Sequence, residues 1–398
     1  MIPAAVAPIQ LEEYQTTRLP HAALSEQEGT LLWRTYGTYI AVEFPSPRTE
    51  RQWELTPQGW VGYIPLSDNR ILALEPKVAL GNLFGMLDYA YRLSSLKFLP
   101  DLVHTQSLAE FYESLADILA KRVLDRARKG FYRAYLERLE QLPYITGRLN
   151  TQRLLQRPWE IQPHCEYQEH TADIEENQLL AWTLRRILHS GLCARTLPTL
   201  RRAYHALAGF TTLVPFSPQA CVGRLYNRLN DDYQPLHALC RFFLEHSGPG
   251  HQVGEHSFLP FLVNMARLYE LFVAEWLTQH LLPERFRVQA QERVTLGATQ
   301  ELHFDIDLTL YDVRTGEALC VLDTKYKAPE KPANPDIFQV MAYAEVKHCH
   351  EAMLIYPTPV PFDECLGDIR VRSLTFATAG DLEQAGQAFL AQLVALFP

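Results

Sequence analysis

HFDIDLTLYD (residues 303–312) and, after a short turn, ALCVLDTK (318–325) decide the fold. The first stretch alternates strictly, with Phe304, Ile306, Leu308 and Leu310 on one face and His303, Asp305, Asp307 and Thr309 on the other, the period of a β-strand. The second begins as a continuous apolar run, as a strand covered on both faces does, and ends in Asp323-Thr324-Lys325. Successive strand residues point to opposite faces, so Asp323 and Lys325 share one, and Asp305 can join them from the neighbouring strand. Carboxylates held close repel unless a cation lies between them, and Mg²⁺ takes one or two carboxylates plus water and substrate phosphate. A lysine there can polarise an attacking water or stabilise charge growing on a scissile phosphate, which is what phosphodiester hydrolysis requires.

Working outward, FLPFLVNMARLYELFVAEWLTQHL (258–281) carries apolar residues at 261, 265, 268, 272 and 276, a helical stripe. Glu270 interrupts it, and Ala266 and Ala274, one turn away on either side, are small enough to let a strand end approach. Downstream, Asn334-Pro335-Asp336 supplies a cap and a first-turn proline for the helical IFQVMAYAEVK, and EAMLIYP reads as another inner strand. On that helix Gln339 and Tyr343 lie one turn apart, suited to touching a phosphate or orienting the lysine. An Asp-x-Lys alone is a common surface pattern; Glu270, Asp305, Asp323, Lys325, Gln339 and Tyr343 in this order give it company. Of these, Asp305 and Asp323 are the carboxylates that the strand geometry offers a metal ion. Residues 251–398 are thus expected to form an α/β domain.

The chain has 398 residues, more than one core usually serves, so the expectation is a multidomain α+β protein. Residues 1–78 show short alternating runs, such as LLWRTYGTYIAVEFP, and are expected to be a small β domain. Residues 79–250 are mostly helical in pattern, with capping boxes expected at Ser107/Glu110 and Asp173/Glu176, and SGPGHQVGEH (247–256) reads as a linker. The net charge is −9, yet ten Lys/Arg stand between Lys121 and Arg157 against Asp125, Glu137 and Glu140. A basic block in an acidic chain can face phosphates, and Arg126, Lys129 and Arg133 are its candidate DNA contacts; a partner-binding face or a solvated helix face would give the same composition. Seven scattered cysteines without a CxxC pair argue against a disulfide framework or a zinc ribbon. No apolar run is long enough to span a membrane and the first residues lack a signal peptide's pattern, so a cytoplasmic location is expected.

Glu270, Asp305, Asp323-x-Lys325 and Gln339-x-x-x-Tyr343 resemble the PD-(D/E)xK nuclease core with the Gln-x-x-x-Tyr motif of RecB-like nucleases; the resemblance implies Glu270, Asp305 and Asp323 as metal ligands, and because it departs at Phe304, where proline is usual, Asp307 stands as the rival to Asp305. ILALEPKVALGNLFGMLDYAYRL, GFYRAYLERLEQLPYITGRLN, Cys165-x-Tyr167 followed by Asp173 and ENQLLAWTL, and FLVNMARLYELFV are similar to successive blocks of the McrC family, over about Ile71 to Pro357. That resemblance implies a Mg²⁺-dependent nuclease subunit of a 5-methylcytosine restriction system, working with an AAA+ GTPase of the McrB type that forms a hexameric ring and acts on double-stranded DNA carrying modified bases. It also implies that the N-terminal β domain and adjoining helices enter the partner's ring and stimulate its hydrolysis. The absence of any GxxxxGK[ST] loop from the sequence agrees that this chain is not itself the motor. Two other readings keep the fold and change the role: a non-cutting activator of an AAA+ partner, and a repair nuclease that needs no partner.

Overall fold

A computed structural model describes residues 8–67, 70–93, 107–157, 159–249, 251–253, 256–296 and 302–397. The N-terminal stretch comprises β1 (Ile9–Glu12), β2 (Thr17–Leu19), α1 (Glu26–Tyr36), β3 (Ile40–Glu43), β4 (Trp53–Pro57), β5 (Trp60–Ser67) and β6 (Arg70–Glu75), followed by α2 (Leu80–Tyr91). β2, β4 and β3 form one antiparallel sheet, while β1 pairs in parallel with β6, which pairs with β5. Leu32, Tyr36, Ile40, Trp53, Leu55, Ile64, Leu72 and Leu74 fill the core between them.

The helix α1 was not expected, because LLWRTY has strand-like composition. Its start decides the matter: Ser25 and Glu28 form a reciprocal capping box, the Glu28 carboxylate accepting from Ser25 N at 2.9 Å. Buried Glu28 is then anchored by the Arg70 guanidinium. Gly29 lets the Trp53 ring lie against the helix, since a Cβ there would come within 2.2 Å of it.

Contacts divide the chain into two compact units, Met1–Phe111 with Gly248–Pro398, and Tyr112–Ser247. The boundary falls within α3 (Leu108–Lys129), where Ser107 Oγ accepts from Glu110 N, as the capping pattern predicts. Beyond α3 lie β7 (Ala134–Gln141), β8 (Arg148–Leu149), α4 (Thr151–Gln156), β9 (His164–Thr171), α5 (Glu175–Leu188), α6 (Leu197–Ala208) and α7 (Tyr233–Glu245). The three strands make an antiparallel sheet, order β7-β9-β8, inside a stretch whose pattern is otherwise helical. Asp173 does not cap α5: its carboxylate instead takes Thr212 N, the Thr212 hydroxyl and Gln178 Nε2. Buried Asn177 donates to Tyr132 O and Ala172 O and accepts from the Tyr233 hydroxyl. Glu113, also buried, takes the backbone N–H of Arg195 and Thr196, supplying from α3 the cap that α6 lacks locally.

The C-terminal stretch runs through β10 (His251–Val253), β11 (His256–Phe258), β12 (Phe261–Asn264), α8 (Met265–His280), β13 (Phe286–Leu296), β14 (Leu302–Asp312), β15 (Ala318–Thr324), α9 (Asn334–Lys347), β16 (Glu351–Tyr356), β17 (Asp363–Leu366), β18 (Ile369–Thr375) and α10 (Leu382–Val394). Part of the expected linker at 247–256 lies outside the described residues, and the rest includes the short β10–β11 pair. Phe261–Asn264, read as the start of a helix, is a strand: β12 pairs with β5 and completes the sheet β1-β6-β5-β12. Gly62 permits this, since a Cβ there would lie 2.0 Å from Phe261 O. Six strands form the larger sheet, order β13-β14-β15-β16-β18-β17, antiparallel from β13 to β15 and parallel from β15 through β16 to β18. On one face α9 buries Ile337, Val340, Tyr343 and Ala344 against Val321, Ala352, Leu354 and Tyr356, the isoleucine, valine and leucine side chains each contributing roughly 1.5–3 kcal/mol. The architecture is therefore a mixed α/β one with several sheets. Among the described residues no helix is long and apolar enough to cross a membrane.

Candidate active site

β15 emerges from the core at Asp323, whose carboxylate is 1% exposed. Its Oδ2 lies 2.7 Å from Lys325 Nζ, a buried ion pair. Lys325 Nζ also donates to Gln339 Oε1 at 2.9 Å, and Gln339 Nε2 donates to the Tyr343 hydroxyl at 2.7 Å. The one-turn spacing of Gln339 and Tyr343 on α9 thus fixes the ammonium above Asp323. Asp336, at the start of the same helix, stands 3.9 Å from Lys325 Nζ and also pairs with Lys327.

Of the two aspartates on β14, Asp307 is bonded next to Asp323, whereas Asp305 is held by Arg293 on the wall of the same cleft. Asp305 is an exposed cross-strand partner of Arg293, which donates Nε and Nη2 to its two oxygens at 2.7 and 3.1 Å. Asp307 Oδ2 accepts from Thr324 N at 2.9 Å and from the Thr324 hydroxyl at 3.0 Å, one residue from Asp323. Register gives the reason. The β14–β15 ladder pairs Leu308 with Leu322, so the next position along, Asp307, stands across from Asp323, and Asp305 lies a further two residues out.

Electrostatics agree with this grouping. Burial, and next the Asp307 charge, push the Asp323 carboxyl up to about 7 against the pull of Lys325. Burial and Asp307 likewise raise Glu270, against Arg267. Burial alone would lower Lys325, but the carboxylates of Asp323, Asp336 and Asp307 outweigh it and hold the ammonium above the ordinary lysine value. Glu270 Oε1 receives Arg267 Nη1 at 2.5 Å and Gln291 Nε2 at 3.1 Å. A cleft of about 580 Å³ opens here, lined by Arg267, Glu270, Gln291, Arg293, Asp305 and Asp307.

The donor set is of the kind a hard divalent cation takes: carboxylate oxygens, one of them buried, beside a lysine. Among the described residues no three acidic, imidazole or thiol groups stand close enough together to hold an ion by themselves. Sequence reasoning ranked Asp307 second and missed Asp336, Arg267 and Gln291. The hairpin turn alone does not signal Asp307, because the β14–β15 ladder shifts register between Leu310 and Tyr311 and only beyond that shift does Asp307 come across from Asp323.

The basic block is partly spent on internal pairing. Arg126, expected to be an exposed DNA contact, pairs with Asp232 at 3.2 Å and lies over the Tyr233 ring. Lys121, Arg128, Arg138 and Arg157 pair with Asp117, Asp125, Glu169 and Glu160. Lys129 and Arg133 are exposed and have no ion-pair partner among the described residues.

Residues 55–357 match the family described as McrBC 5-methylcytosine restriction system component. The chain is 24% identical over 293 residues, 68% of its own length and 81% of the relative's, to a protein of Escherichia coli (strain K12) described as type IV methyl-directed restriction enzyme EcoKMcrBC. Its fold is similar to a chain in the half-complex of a tetradecameric assembly of Thermococcus gammatolerans McrB AAA+ hexamers with bound McrC, with a TM-score of 0.54, 17% identity, and coverage of 98% of this chain and 100% of that one. A chain in the T. gammatolerans McrBC complex aligns over 70% of this chain and 89% of its own, with 19% identity and a TM-score of 0.43. With its conserved-family match spanning most of its length, from the N-terminal sheet to the end of β16, this chain belongs to the McrC family of McrBC 5-methylcytosine restriction system components.

Proposed function

We propose that this chain is the Mg²⁺-dependent endonuclease subunit of a modification-dependent restriction system, with a PD-(D/E)xK-type core, and that it cuts double-stranded DNA when assembled with an AAA+ GTPase ring of the McrB type. The observation that carries the reading is Asp323: buried, its carboxyl raised to about 7 by burial and then by Asp307, and paired with Lys325 at 2.7 Å. Burying a carboxylate beside a second one costs stability even when a lysine pairs with it, and groups perturbed in this way cluster at functional sites.

In this reading Asp307 and Asp323, with Glu270 from α8 as a further ligand, would hold the cation once it binds, since no three such groups stand assembled for it among the described residues, and it would supply charge neutralisation at the scissile phosphate. Lys325, held by Gln339 and Tyr343, orients the attacking water and keeps its proton because the surrounding carboxylates hold it charged. Asp336 balances that ammonium from α9. Residues 1–78 are assigned to the partner, and the basic region of 79–250, through Lys129 and Arg133, to the DNA backbone. The test is direct: purified chain, AAA+ partner, nucleoside triphosphate, Mg²⁺ and 5-methylcytosine DNA should give cleavage that Asp323→Ala abolishes, with stimulation of the partner's hydrolysis retained. Intact DNA with the wild-type chain under stimulated hydrolysis would make it an activator, and cutting without the partner would make it a self-sufficient nuclease.

A further inference from the structure

Six non-glycine residues among those described have left-handed backbone, and five of them, Tyr14, Glu50, Arg51, Arg92 and His348, lie in turns or at helix ends where such geometry is routine. The sixth, Gln291 (φ 52°), lies inside β13. Register is continuous on both sides of it: Ala290 pairs with Leu308 and Glu292 with Ile306. No residue is inserted; a single rung is lost, the one across from Asp307. On the opposite side the β14–β15 ladder ends at Leu308–Leu322. Asp307 is therefore released by both neighbouring strands, and its carboxylate turns to Thr324 N–H. The kink also aims the Gln291 amide at Glu270 Oε1.

We infer that Gln291 is a positioning residue for the acidic centre, its left-handed kink freeing Asp307 from the ladder while its amide holds Glu270. Backbone strain in mid-strand persists only where surrounding structure enforces it, and here both of its effects converge on carboxylates of one site. The inference rests on the nuclease reading for its consequence to cleavage, but not for its geometry, and the experiment separates the two.

Gln291→Val favours regular strand geometry, because a β-branched residue resists left-handed backbone. Gln291→Gly keeps the kink without the amide, and Gln291→Asn tolerates the kink and retains a shorter amide. Hydrogen exchange of the segment containing Thr324, read by mass spectrometry on the full chain, should accelerate at least tenfold in Gln291→Val and stay near wild type in the glycine and asparagine variants. With the AAA+ partner, kcat for cleavage should fall at least tenfold in Gln291→Val, less in Gln291→Gly and least in Gln291→Asn, with DNA affinity within twofold throughout. Unchanged exchange in Gln291→Val overturns the inference whatever the activity. Accelerated exchange with wild-type kcat overturns its link to the reaction. Loss of DNA affinity and thermal stability in step with kcat makes Gln291 merely structural. Accelerated exchange in a system whose wild-type chain cuts nothing leaves the geometry standing and removes the nuclease reading instead.

Discussion

The two compact units bury polar groups in opposite ways. In Tyr112–Ser247, Asn177 uses its donors on Tyr132 O and Ala172 O and its acceptor on the Tyr233 hydroxyl, and Glu113 caps α6. In the other unit, Asp323 is buried as deeply and paired with Lys325, but it faces a second carboxylate and its carboxyl stays raised. A satisfied network rigidifies a fold, whereas a carboxylate buried beside a like charge lowers its stability. Removing the polar group should therefore have opposite effects on stability in the two places.

The largest contrast is expected in cleavage. Asp323→Ala and Asp307→Asn should each lower kcat by about 10³ or more if each carboxylate holds the cation, a loss in the range that removing an electrostatic group from a site produces. Asp305→Asn should leave cleavage within a few-fold of wild type, since its carboxylate is engaged with exposed Arg293. Gel assays with the partner decide, and the reverse ranking would return the ligand role to Asp305.

Stability comes next. In EDTA, Asp323→Asn should stabilise the protein, and the gain should depend on pH. Below about 3.9, the unfolded value, both states carry the proton and the mutation gains little. Between there and about 7 the unfolded chain releases the proton while the folded chain keeps it, so the wild type loses stability as pH rises. Above 7 the difference levels off, at up to about 4 kcal/mol. Melting curves at pH 5 and pH 8 should show the larger gain at pH 8; a pH-independent difference would refute a perturbed Asp323. By the same comparison Asn177→Ala should destabilise by about 2–3 kcal/mol, because it strands buried carbonyls and a hydroxyl. Denaturant unfolding of the full chain measures this.

The smallest effect is on salt dependence. Replacing Lys129 and Arg133 with glutamine should flatten the slope of log K against log[salt] for duplex DNA by about 2, at roughly 0.9 per phosphate contact. Arg126→Gln should instead weaken the packing against Asp232 and Tyr233 and leave the slope unchanged. Anisotropy titrations without the partner distinguish the two, and an unchanged slope in the double variant would remove the DNA assignment.

What the sequence revealed and what it hid have physical reasons. The strands carrying Asp307 and Asp323 were legible because period-2 alternation and a doubly buried apolar run are local signals. Gln339 and Tyr343 were legible because helical spacing fixes their common face. Asp305 and Asp307 could not be told apart in the sequence because both share strand parity; only register, a property of two strands together, sets Asp307 across from Asp323. The helix α1 was hidden by aromatic, strand-like composition, although Ser25 and Glu28 advertised its start. Arg126 looked like a free charge because its partner, Asp232, lies 106 residues away. Gln291 carries no sequence signal at all, since glutamine is unremarkable in a strand until its backbone is seen.

The pairing of β12 with β5 bears on how the chain can be divided. β12 passes directly into α8 through Asn264, which caps the helix by accepting from Arg267 N at 2.9 Å, and α8 carries Glu270. A fragment beginning at residue 251 would keep the acidic centre but lose the strand against which β12 is registered, leaving an apolar strand edge open to other chains. The C-terminal half is consequently not a transplantable cassette. A chimera meant to exchange only that half must carry the first 75 residues with it.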